Sequence, residues 1–235
     1  MSPRPRTVQD DAILEAAINV LSRTGPERMT LADVGAEVGL SAATLVQRFG
    51  SKRALMLALL KHVTDGIDAR FASAMASHSS PLEALFAASV DRSGPLAAPV
   101  SLANVLAFYL LGLDDPEFHA LATENSRRAV RGYRRVLDDA IAAGELNAGF
   151  VDTARLAEVT YAMTMGSLLT WSVSRNGTLA GQVRRDLDIL LRPFRRGPRK
   201  ASGNRDNGER RPADMPQRES ARSVEKVAAP VAPAA

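Results

Sequence analysis

The side chains best suited to chemistry in this 235-residue chain lie between Thr30 and Lys52, and the chemistry they suit is non-covalent recognition of a polyanion. Ser41, Ala42, Ala43, Thr44, Val46, Gln47 and Arg48 fall on one short helical stretch, small where a backbone must approach a surface closely and polar where side chains must reach. Gln and Arg read base edges in a major groove, and short hydroxyl residues serve phosphates. Lys52 opens the following helix, and Thr30 stands at the start of the preceding one. The candidate contact set for such a polyanion is Thr30, Ser41, Ala42, Ala43, Thr44, Val46, Gln47, Arg48 and Lys52.

Other chemistries find little support. With no cysteine there is no disulfide, thiol nucleophile or Cys-ligated zinc. His62, His78 and His119 lie far apart without ligand spacing, so no metal site is assigned. The paired acids Asp114-Asp115 and Asp138-Asp139 read as a helix cap and a solvated face. There is no Gly-x-Ser-x-Gly elbow, phosphate loop or His-Glu-x-x-His, so no catalytic residue, cofactor or enzyme activity is expected.

The elements that must position these residues are helices. Aromatics make up 5% and apolar residues 46%, and Ala-Leu-Arg-Glu stretches dominate. Thr7 to Asp10 reads as a capping box ahead of the stripe Ile13, Ala16, Ala17, Val20 and Leu21. Thr30 and Ser41 cap two short helices separated by Gly39-Leu40, with Gly39 supplying a positive φ and Gly35 a close approach. The fourth helix is expected to run unbroken from Lys52 past Phe71 and connect two domains. Further helices follow Ser80-Pro81, a loop at Gly94-Pro95 and Pro99, an apolar segment from Val100 to Leu113 buried on most sides, Asp115-Pro116 and Asp152, with a last one over residues 179–194.

At residues 29–52 the sequence resembles the TetR-family signature, from Met29-Thr30-Leu31-Ala32-Asp33-Val34 through Gly39-Leu40-Ser41 to Arg48-Phe49-Gly50-Ser51-Lys52. The resemblance extends more weakly over residues 80–194, where Ala140 to Leu146 is similar to the turn before the family's dimerisation pair. Two positions depart from the pattern: Val46 replaces a common Tyr that touches phosphate, and Arg48 replaces a common His. Arg48 offers a charged donor for a phosphate or a guanine. The resemblance implies an all-α fold of about nine helices: a DNA-binding domain at 7–65, with three helices forming its helix-turn-helix, and a ligand-binding and dimerisation domain at 66–194. Residues 195–235, rich in Arg, Pro and Gly, are expected to be a disordered tail.

Within 66–194, Phe71, Met75, Phe86, Phe108, Tyr109, Tyr161 and Met165 suit either ordinary core packing or a pocket for an apolar or aromatic molecule. Leu156, Val159, Met163 and Gly166 follow a heptad-like seam, and Val183, Leu187 and Leu190 form a stripe. The resemblance implies that these helices build a four-helix bundle between two subunits, although packing within one subunit is also compatible with the spacing. The basic excess sits in the tail, where ten Lys/Arg face five Asp/Glu, so the pI of about 9.8 is weak evidence for DNA binding.

Taken together, the expectation is a cytoplasmic homodimeric regulator on a palindromic double-stranded operator, most simply a repressor released by a small-molecule effector. An activator, a ligand-independent regulator and, from another class, a helical protein-interaction module are alternatives. No apolar run reaches membrane-spanning length.

Overall fold

The computed structural model describes residues 8–90, 98–111, 114–147, 149 and 152–196. These form ten α-helices and a closing 3₁₀ turn, and among the described residues there is no strand, only one bridge pairing Leu146 with Arg195. No helix among them is long and apolar enough to cross a membrane.

The first helix, α1 (Asp10–Thr24), buries Ile13, Ala16, Ala17, Val20 and Leu21, the stripe read from the sequence. Its start differs from the expected capping box: the N-cap is Gln9, which makes no side-chain cap bond, and Thr7 lies outside the described residues. The Asp10 carboxylate is instead engaged by Arg48 at 3.3 Å. Helices α2 (Leu31–Glu37) and α3 (Ala42–Phe49) are too short to persist on propensity alone, and their ends are fixed by hydroxyl caps. The Thr30 hydroxyl accepts from the Asp33 amide at 3.1 Å while the Asp33 carboxylate accepts from the Thr30 amide at 3.0 Å. Ser41 accepts from the Thr44 amide at 3.1 Å.

The expected long fourth helix is two helices, α4 (Lys52–Asp65) and α5 (Ile67–Ser77), parted at Gly66. Glycine is a poor helix former, and here it divides one apolar stripe between two cores. Leu55, Met56, Leu59 and Leu60 pack with α1, Met29, Val34 and Leu45, whereas Ile67, Phe71 and Ala74 belong to the second core. The backbone bonds flanking the break survive, from the Gly66 amide to the His62 carbonyl at 3.1 Å and from the Arg70 amide to the Gly66 carbonyl at 3.0 Å.

The second core is closed by α6 (Pro81–Val90), α7 (Pro99–Leu110), α8 (Pro116–Ala142), α9 (Thr153–Ser174) and α10 (Leu179–Leu191), followed by the turn Arg192–Phe194. Phe71 meets Tyr133 edge-on with ring centres 5.1 Å apart, and Gly132 permits this because a Cβ there would stand 2.3 Å from the Phe71 ring. The first core is not confined to residues up to 65: Val105 and Phe108 of α7 and Phe118 of α8 complete it.

Three further expectations meet the structure. The apolar segment from Val100 is not buried on most sides: α7 buries Leu102, Val105 and Phe108 on one stripe while Leu110 is 65% exposed. The loop at Gly94-Pro95 lies outside the described residues. The first two residues placed in the tail are held, because Arg196 donates its amide to the Glu145 carbonyl at 3.2 Å and the Arg195 guanidinium meets Asp188 at 2.6 Å. The remainder of that expected tail lies outside the described residues.

Candidate nucleic-acid interface and effector cleft

The reading element is built on one close approach. A Cβ on Gly35 would lie 2.5 Å from the Leu40 carbonyl oxygen, so only glycine lets α2 meet the turn, and the Leu40 amide closes it onto the Gly35 carbonyl at 2.8 Å. Gly39 takes φ +70°, the left-handed region a side chain disfavours. With Leu45 fully buried as the inward anchor of α3, Ser41, Ala43, Val46, Gln47 and Arg48 emerge on the exposed side and Ala42 and Thr44 are half-buried.

Several of these side chains already have partners. Arg48 donates to the Val8 carbonyl at 2.5 Å as well as to Asp10, tying α3 to the entry of α1. Lys52 donates to the Glu27 carbonyl at 2.7 Å. Thr30 is occupied in its capping box, and the Ser41 and Thr44 hydroxyls lie 2.9 Å apart. Val46, 48% exposed, presents an apolar surface of the kind that meets a thymine methyl group.

A cleft of about 390 Å³ opens between α7, α8 and α9. Leu106, Leu110, Ala122, Met165 and Leu169 make it apolar, and Tyr109, Tyr161, Asn125 and Ser126 supply its polar groups. The Tyr161 and Ser126 hydroxyls are 3.0 Å apart. Of the seven expected pocket residues, Tyr109, Tyr161 and Met165 line this cleft. Phe71 fills the second core and Phe108 packs edge-on against Phe118 in the first. Met75 is packed against the second core, and Phe86 lies under the Arg184 guanidinium, 3.7 Å from its ring centre. Sequence reading passed over Asn125, whose signal was its position seven residues after Phe118 and four before Ala129 on the buried face of α8.

The expected dimerisation residues divide sharply. Leu156, Val183 and Leu187 point into the subunit's own core, Leu187 being 4% exposed, with Met163 and Leu190 partly buried against it. On α9 the buried face is instead largely small and polar, because Thr160, Thr164 and Ser167 donate their hydroxyls to the carbonyls of Leu156, Thr160 and Met163 and so enter the core without orphaned groups. The exposed apolar residues of α9 are Val159, Leu169 and Val173, with Ile189 of α10 63% exposed; Leu169 and Gly166 also line the cleft, and nothing stands within 4 Å of where a Gly166 Cβ would lie.

Both α7 and α8 are fastened to α1 and α4, the helices that pack with α2 and α3. Asn104 of α7 donates to the Ser22 carbonyl of α1 at 2.8 Å. At the start of α4, Arg53 forks onto Asp115 and reaches Glu117 at 2.6 Å, and its bond to Asp115 holds that carboxyl below the ordinary carboxylate range. At the end of α4, Asn125 donates to Thr64 at 3.0 Å and Arg128 meets Asp65 at 3.2 Å.

Two capped short helices, a glycine turn and a polar outward face define a helix-turn-helix DNA-binding protein. Residues 13–59 match the family described as bacterial regulatory proteins, tetR family. The HTH-type transcriptional regulator BetI of Brucella anthropi is 29% identical over 156 residues, 66% of this chain and 76% of that protein. A transcriptional regulator from Saccharomonospora viridis, solved in complex with choline, shares the fold with a TM-score of 0.64 at 19% identity, over 78% of this chain and 95% of that one. The SmeT–triclosan complex does so at 0.61 and 20%, over 80% and 91%. Residues 13–59 thus match the DNA-binding region of the tetR family, and the chain as a whole is similar to TetR-family transcriptional regulators.

Proposed function

We propose that this regulator represses transcription by binding a palindromic operator as a homodimer, and releases it when an uncharged, largely apolar or aromatic molecule fills the cleft between α7, α8 and α9. One observation carries the reading: the cleft is walled by α7 and α8, the helices that Asn104, Arg53 and Asn125 join to the reading unit. A molecule that spreads these walls moves α1 and α4 with them. Two reading helices must stay about 34 Å apart to occupy successive major grooves, so a small displacement abolishes simultaneous docking. Residues 7–65 serve as the DNA-binding domain and residues 66–194 as the effector and dimerisation domain.

The absence of any charged side chain among the described lining residues favours an uncharged occupant, since an unpaired buried charge is costly. Gln47, Val46 and Arg48 address bases, with Lys52 and the Ser41 cap on phosphates. The dimer forms through the outward face of α9 and α10, centred on Val159, Val173 and Ile189, whose apolar exposure supports it. The test is selection of bound sequences from a random duplex pool, followed by release with uncharged aromatic compounds. Selection of two inverted half-sites one helical turn apart is expected, and a single asymmetric half-site would refute the dimeric reading.

A further inference from the structure

Asn125 belongs to two structures at once. It lies on the wall of the cleft, and although only 5% exposed it carries a primary amide in an otherwise largely apolar setting. On the other side its Nδ2 donates to the Thr64 hydroxyl at 3.0 Å. Thr64, 2% exposed, commits its own proton to the Leu60 carbonyl at 2.7 Å. The hydroxyl has one proton, so the amide must be the donor, and the Asn125 orientation follows from the network. Two bonds in series thus run from the cleft to the last turn of α4.

That turn is the place where α4 is most easily moved. The helix ends one residue after Thr64, and Gly66 parts it from α5. Three α8 side chains span the break: Asn125 on Thr64, Arg128 on Asp65 and Arg135 on Asp68 at 2.6 Å. The Arg135 pair is solvent-exposed and weak and the Arg128 pair is half-buried on the arginine side only, whereas the amide–hydroxyl bond is buried and exacting in geometry.

We propose that Asn125 is the specificity-determining and coupling residue of the cleft. An uncharged, mainly apolar molecule with one polar end is read by the amide nitrogen and the carbonyl oxygen of Asn125. Turning the amide toward that molecule releases Thr64 and frees the end of α4. The inference rests on the effector-cleft reading for the identity of the occupant, but the coupling itself acts in the unliganded protein.

The experiment uses the full chain and an operator selected from random duplexes. Thr64→Val removes the acceptor at nearly constant volume, and operator affinity should fall on the order of tenfold. Affinity for random duplex, which needs no half-site spacing, should not change. Thr64→Ser keeps the hydroxyl and should bind as the wild type does. Asn125→Leu should lose as much as Thr64→Val, and the double variant no more than either single one. Wild-type operator affinity in Thr64→Val, or losses that multiply in the double variant, would overturn the coupling. If Thr64→Val melts below the assay temperature, Asn125→Ser, too short to reach Thr64, supplies the same comparison. The neutral fluorophore N-phenyl-1-naphthylamine tests the cleft separately. Brightening with wild type that is abolished by Leu106→Trp is expected, and no brightening would count against the effector cleft while leaving the Thr64 result to judge the coupling.

Discussion

In the helix-turn-helix both short helices announce themselves, with Thr30 and Ser41 each accepting from an amide three residues on and Gly35 and Gly39 shaping the turn. In the body, α8 and α9 are also capped, by Asp115 and Asp152, yet these caps say where a helix begins and nothing about which face it buries. The difference follows from length. A seven-residue helix such as α2 cannot persist without explicit end signals, so its signals must be in the sequence. A helix of 27 residues such as α8 is held by what packs against it.

The comparison breaks hardest at two glycines. Gly35→Ala places a methyl group against a backbone carbonyl that cannot yield, and should cost about 3 kcal/mol with loss of operator binding. Gly166→Ala meets nothing within 4 Å and should leave the melting temperature unchanged or slightly raised. Calorimetry on both variants decides the point, and an equal loss at the two sites would show that α9 is covered in a way its exposed face does not suggest.

A second pair separates core from interface. Leu187→Asp buries an unpaired carboxylate in the subunit core and should unfold the body, at a cost on the order of 3–5 kcal/mol. Ile189→Asp, two residues on and facing solvent, should leave helicity intact and yield monomer by sedimentation, with specific operator affinity collapsing alongside. A folded dimer from Ile189→Asp would move the interface elsewhere.

Within the reading unit, Lys52→Ala should flatten the salt dependence of DNA binding by about one unit and weaken all sequences alike. Arg48→Ala should cost roughly 1–3 kcal/mol at one operator position if its remaining donors read a base. Because Arg48 also holds Val8 and Asp10, protection of the α1 entry against hydrogen exchange should fall in that variant and not in Lys52→Ala.

The smallest effect concerns acid. Arg53 lowers the Asp115 pKa in the folded chain below its ordinary value of 3.8, so the stabilisation is fully present above that value and is lost as pH falls through the lowered pKa. The melting temperature of wild type relative to Arg53→Met should therefore be flat from pH 7 to 5 and converge only in stronger acid. Convergence already at pH 6 would assign the clasp to another group.

The sequence by itself determined the all-helical class, the helix-turn-helix from Thr30 to Lys52 and the starts of α8 and α9, because caps, turn glycines and helical spacing are local rules written over a few residues. Tertiary structure alone decided that the stripe from Leu55 to Phe71 serves two cores parted at Gly66, that α9 turns Thr160 and Thr164 inward and Val159, Leu169 and Val173 outward, and that Asn125 joins the cleft to α4. Those outcomes depend on which partners stand opposite. A buried hydroxyl is acceptable where its own helix supplies the acceptor, and an exposed valine where no neighbour reaches it, and neither condition can be read from spacing along one helix.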